Sequence, residues 1–120
     1  MELVTKAIEK QLEQYPLGSQ DGKGVKAKVV VKYFNPCGVG TWIVTEGEKQ
    51  GDGKYLFFGF ACITDWEWGY FSQEELERYK GPLGLGIERD LSSYTTVEDC
   101  LKRMGVNLNK PRNGNPFKRY

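Results

Sequence analysis

The stretch Tyr55-Leu56-Phe57-Phe58-Gly59-Phe60-Ala61-Cys62-Ile63 carries no charged residue, and both faces of its period-two pattern are apolar. A strand with two apolar faces is buried on both sides of a sheet, so the rest of the chain has to supply its neighbours and its covering layers. Directly after it, Asp65-Trp66-Glu67-Trp68-Gly69-Tyr70-Phe71 alternates strictly. Trp66, Trp68 and Tyr70 fall on one face of this second strand, and Asp65, Glu67 and Gly69 fall on the other. Ser72 and Glu75 then have the N-cap and N3 spacing of a capping box, with Phe71 and Leu76 placed as a hydrophobic staple, so a helix starts at once.

The flanking segments read in the same terms. Thr5 caps a first helix whose apolar face is Ile8, Leu12 and Tyr15, and Pro16 stops it. Leu17 to Gly24 has loop composition. Val25 to Phe34 alternates as an amphipathic strand, with Val25, Ala27, Val29, Val31 and Tyr33 on one face. Lys26, Lys28 and Lys32 form a solvated lysine row on the other, of the kind that blocks edge association. Thr41 to Glu46 is the next strand. Asp52-Gly53 marks the hairpin turn into the central one, and such short links require antiparallel pairing. Ile87 to Leu91 reads as a short extended segment. Thr95 or Thr96 caps a last helix with Val97, Leu101 and Met104 inward, and Gly105 ends it. The expected fold is α+β: an antiparallel sheet of four to five strands, an N-terminal helix, a capped helix after Phe71 and a C-terminal helix. Residues 1–105 form one domain, and residues 106–120 a basic, Asn/Pro-rich tail.

The 120 residues carry a formal net charge of +1, which gives no overall attraction to nucleic acid or anionic membrane. The charge is unevenly placed. From Trp42 to Asp90 there are ten acids and five bases, whereas every charged residue from Leu101 onward is basic. The first residues have neither the basic start nor the apolar run of a signal peptide, and no stretch is long enough to cross a bilayer. The three cysteines, Cys37, Cys62 and Cys100, lack C-x-x-C spacing and suit a reducing cytoplasm. There is no histidine, which removes the commonest general base, the commonest transition-metal ligand and the usual serine and cysteine triads.

Four motifs follow one another in order: Trp42-Ile43-Val44-Thr45-Glu46; Leu56-Phe57-Phe58-Gly59; Glu67-Trp68-Gly69-Tyr70-Phe71-Ser72 with Glu75-Leu76; and Gly81-Pro82-Leu83-Gly84-Leu85-Gly86-Ile87-Glu88-Arg89-Asp90-Leu91. Together they resemble a family of small uncharacterised proteins, a domain of unknown function carried on bacterial plasmids, conjugative elements and phages. The resemblance runs from about Leu3 to about Leu91. Trp68 stands where that family's pattern has an aliphatic residue, and the basic tail lies outside it. The resemblance implies a cytoplasmic accessory protein in a mobile-element setting, with no established activity.

The acids at motif positions are Glu46, Asp65, Glu67, Glu88 and Asp90. An oxygen-only magnesium or manganese site made from Glu46, Glu67, Glu88 and Asp90 needs no histidine, so a metal-dependent hydrolase or nuclease is one alternative. Against it stands a structural role, in which Arg89 pairs with one of the carboxylates and pins a loop. The glycine-rich Gly81 to Gly86 lacks a following Lys-Ser/Thr and is not a phosphate loop. Cys37 reads as an ordinary loop cysteine. Trp42, Trp66, Trp68 and Tyr70 are either core or an exposed binding patch, and with Glu67 and Arg89 they form the candidate binding set. In the tail, Lys110, Arg112, Lys118 and Arg119 alternate with residues able to stack on bases. They suit either docking onto the acidic segment or, less favoured, contact with nucleic acid. The resemblance, together with the missing catalytic apparatus, implies a non-enzymatic protein without cofactor that binds a host or element-encoded protein, in counter-defence or plasmid maintenance.

Overall fold

A computed structural model describes residues 2–107. Five strands form one antiparallel sheet in the order β4-β3-β2-β1-β5. In chain order they are β1 (Val31–Phe34), β2 (Thr41–Lys49), β3 (Tyr55–Cys62), β4 (Trp66–Ser72) and β5 (Glu88–Arg89). Helix α1 (Lys6–Gln14) precedes the sheet, α2 (Gln73–Arg78) follows β4, and α3 (Val97–Arg103) ends the described chain. The α+β class, the antiparallel pairing and the three helix positions expected from the sequence are all present.

The doubly apolar strand has two buried faces for the reason its pattern implies. Tyr55 and Phe57 join one core with Leu3, Ile8, Leu12, Val31, Tyr33, Val44, Phe71 and Leu76, on the face that carries α1 and α2. Phe60 joins the other core with Ala27, Ile43, Val97, Cys100 and Leu101, on the face that carries α3. Burying side chains of this size stabilises by about 1.5–3 kcal/mol each.

The helix starts follow their local chemistry. Thr5 Oγ1 accepts from Ile8 N at 3.2 Å, and Thr96 caps α3 by accepting from Asp99 N. The capping box at α2 closes both ways, Ser72 Oγ accepting from Glu75 N and Glu75 Oε1 from Ser72 N. Gly105, at φ +82°, takes the left-handed turn after α3.

Two boundaries differ from the alternation pattern. The first strand does not begin at Val25. A 3-10 turn occupies Gly24–Lys26, and ladder pairing with β2 starts only at Val31. The Gln20 side chain takes both backbone groups of Lys28: Nε2 donates to Lys28 O at 2.9 Å, and Oε1 accepts from Lys28 N at 2.7 Å. With those groups occupied, Lys28 makes no ladder bond to β2, and its neighbours form an isolated antiparallel bridge to the Thr96 segment instead, Val29 N donating to Thr95 O and Val97 N to Ala27 O. The second strand, in turn, runs past Glu46 to Lys49. A bulge between Val44 and Glu46 shifts its register against β3 and points Glu46 away from water.

Candidate functional site

The aromatic residues of β3 and β4 interleave into a ladder on the α3 face. Pairing sets Trp66 opposite Cys62, Trp68 opposite Phe60 and Tyr70 opposite Phe58. Phe60 stacks on Trp66 at 5.0 Å and meets Trp68 at 4.7 Å between ring centres. Phe58 lies parallel to Trp68 at 6.0 Å and edge-on to Tyr70 at 5.0 Å. Contacts of this geometry add about 0.5–1.5 kcal/mol each beyond burial. The ladder begins inside the core at Phe60 and ends in solvent at Tyr70, which is 66% exposed. The two sequence alternatives, core and surface patch, are therefore the two ends of one strip.

Trp42 is not part of that strip. It pairs with Ala61 across β2 and β3, on the opposite face of the sheet. There it walls a groove of about 330 Å³ with Ala61, Ile63, Thr64, Asp65, Glu67, Gly69, Phe71 and Glu75. The structure thus places Trp42 and Glu67 on one groove, which Trp68 and Tyr70 of the strip also border, and leaves Trp66 outside its lining.

The candidate metal ligands occupy three places. Glu46 is 3% exposed, and its two oxygens accept from Gly18 N at 2.6 Å and Gln20 N at 2.9 Å. It latches the 17–24 loop onto β2, while Gln20 Nε2 also donates to Thr45 O at 2.8 Å. Glu67 lies on β4 and Glu88 on β5, the two opposite edges of the sheet. Asp90, beside β5, accepts from the Tyr94 hydroxyl at 2.6 Å, from Ser92 N at 2.8 Å and from Lys32 Nζ at 3.2 Å. Burial pushes its carboxyl up, but those hydrogen bonds outweigh burial and hold it at about 2. Burial likewise works against the Lys32 charge, and the bond to Asp90 reverses this and raises its pKa. Among the described residues, no three of Asp, Glu and Cys gather as metal ligands would.

Arg89 Nη1 donates to the Glu2 carbonyl oxygen and ties the N-terminal segment to β5. The loop after β5 is held by Tyr94, whose ring lies under the Arg103 guanidinium at 4.5 Å and Lys32 Nζ at 5.5 Å. Arg103 also donates to Ser93 O at 2.7 Å. Neither Gln20 nor Tyr94 stands out in the sequence: each is a lone polar residue in a loop, and only long-range pairing shows what it holds. Cys37 is exposed in the β1–β2 turn, whereas Cys100 is buried and its thiol is pushed up to about 11. Lys110, Arg112, Lys118 and Arg119 lie outside the described residues.

Fold and site together define a small α+β domain with one antiparallel sheet, an aromatic strip reaching the surface at one edge strand, and a Trp-walled groove behind it. Residues 3–100 match the family described as a protein of unknown function (DUF2958), and the chain belongs to that family. No curated protein matches the chain, and no solved structure does.

Proposed function

We propose that this chain is a non-enzymatic accessory protein of a mobile genetic element, a plasmid, conjugative element or phage. It works in the cytoplasm by binding a host or element-encoded polypeptide, in counter-defence or plasmid maintenance. The observation that supports binding is the exposed end of the aromatic strip. Tyr70 lies in solvent on an edge strand, backed by the Phe58 and Trp68 rings. Aromatic side chains held rigid by their neighbours bring large contact area at low entropic cost, which is why tyrosine and tryptophan concentrate at interface centres. The carboxylates with resolved roles serve the fold, Glu46 as a loop latch and Asp90 as a loop anchor. The ordered sequence motifs support the mobile-element setting.

The test is affinity capture of the tagged full chain from a host lysate, with retained proteins identified by mass spectrometry, for wild type and Tyr70→Ser. Because Tyr70 is mostly exposed, the substitution leaves the core intact, and equal thermal transitions verify this. A partner retained by wild type and reduced at least about tenfold by the variant supports the reading. Equal retention, or no specific partner, overturns it.

A further inference from the structure

The groove behind β4 is open to solvent and is walled by aromatic rings and carboxylates. Gly69 lies in its lining, and Gly59, opposite it on β3, does not. Gly59 must be glycine, because a Cβ there would lie 1.9 Å from the Ile43 carbonyl oxygen. Its cross-strand partner Gly69 is under no such demand: a Cβ at Gly69 meets no atom of the described residues within 4 Å, and its φ is not in the left-handed region. Glycine inside a strand weakens it through entropy and lost packing, and it commonly marks a place where another group approaches closely. Here the missing side chain keeps open the space between Trp42 and Glu75.

Around that space stand Trp42, Ala61 and Ile63 as apolar walls, Asp65, Glu67 and Glu75 as carboxylates, and parts of Trp68 and Tyr70, and among the described residues no lysine or arginine lines the groove. Glu75 is held in place by the capping box, one oxygen accepting from Ser72 N and Oγ at 3.3 and 3.1 Å. Glu67 projects from the edge strand into solvent. An indole wall attracts a cation through its quadrupole, and a carboxylate beside it adds a charge-assisted hydrogen bond.

We infer that the Trp42 groove is the docking site for a cationic segment of the bound polypeptide, which places a lysine or arginine side chain over Gly69, against Trp42 and between Glu67 and Glu75. This rests on the polypeptide-binding reading above and adds the chemistry of the partner and a second contact face. An occupied groove puts partner atoms on both faces of β4, with the aromatic strip on one and the carboxylates on the other.

The experiment is a titration of the full chain with an N-acetylated, C-amidated hexa-arginine peptide, followed by calorimetry and by the Trp42 indole N–H resonance, assigned with Trp42→Phe. Wild type is expected to bind with a shift at Trp42 and an affinity that falls with salt. Gly69→Val fills the floor, so it should hold or raise Tm while weakening binding at least about tenfold. Glu67→Gln, which alters no core contact, should weaken binding about three- to tenfold. Glu48→Gln, on β2 away from the groove, should leave it unchanged. Binding that is absent in wild type, or equal in wild type, Gly69→Val and Glu67→Gln, overturns the inference. So does binding that appears only when Lys110, Arg112, Lys118 and Arg119 are changed to glutamine, since the chain's own segment would then be the occupant. A lysate partner lost in Tyr70→Ser but kept in Gly69→Val overturns the groove alone and leaves polypeptide binding standing.

Discussion

At the scale of single residues, the informative side chains are polar ones spent on the fold. Glu46 sits at a bulge and satisfies two amides of a loop 26 and 28 residues away. Removing it leaves two donors without an acceptor, each costing about 1–3 kcal/mol where buried. Glu46→Ala is therefore expected to lower Tm by on the order of 10 °C in a scanning calorimeter. Glu46→Gln keeps one acceptor oxygen and should recover part of the loss. Asp90 gives a pH signature. Its carboxyl is held at about 2, below its ordinary value, so the folded state favours the ionised form. That contribution is complete above the ordinary carboxylate range and is lost as pH falls through about 2. Urea midpoints at pH 5 and pH 2 should converge more closely in Asp90→Asn than in wild type; parallel behaviour would show that the Lys32–Asp90–Tyr94 cluster does not contribute.

At the scale of elements, the β2–β3 pair is the least replaceable part. It runs from Thr41–Cys62 to Lys49–Tyr55, and its two strands contribute Ile43, Val44, Phe57 and Phe60 to both cores. The closeness of the strands depends on Gly59. Gly59→Ala drives a methyl into the Ile43 carbonyl, where every close atom is backbone and no flexible side chain can yield. A loss of about 4 kcal/mol or more is expected, or failure to fold, read as lost near-ultraviolet circular dichroism. Its neighbour Gly69 is the internal control, since the same change there meets open space. The two edges of the sheet also differ. β5 is two residues long, whereas β4 runs seven residues without proline or lysine, the features that usually blunt an edge.

At the scale of the whole molecule, two apolar layers enclose one sheet, and α3 with the residues after it closes the second layer. Met104 and Val106 pack against the cluster that holds Phe60, so the core extends to the end of the described chain. A chain ending at Asn107 is expected to unfold in one cooperative transition by circular dichroism, whereas one ending at Thr95 should not fold, because it lacks Val97, Cys100 and Leu101. Failure of the first to fold would show that residues 108–120 belong to the domain rather than extending from it.

The local pattern by itself determined the element types, the antiparallel pairing, the two-faced burial of Tyr55–Cys62, the capping box at Ser72 and the glycine stop at Gly105. These depend on period two, on side chain to backbone bonds within a few residues, and on short links between strands, all of which are local. It also placed Trp66, Trp68 and Tyr70 on one face, because alternation within a strand is a covalent consequence of the pleat. Only the tertiary structure decided the rest. Alternation does not say which strands are neighbours, so it could not tell that β5 lies beside β1 or that Glu67 and Glu88 lie on opposite edges. Nor could it show that Gln20 takes the Lys28 backbone and shortens β1, that Glu46 is buried at a bulge, or that Trp42 and Glu67 line one groove. Each of these is a contact between residues far apart in the chain, set by how three layers pack rather than by any residue's own preference.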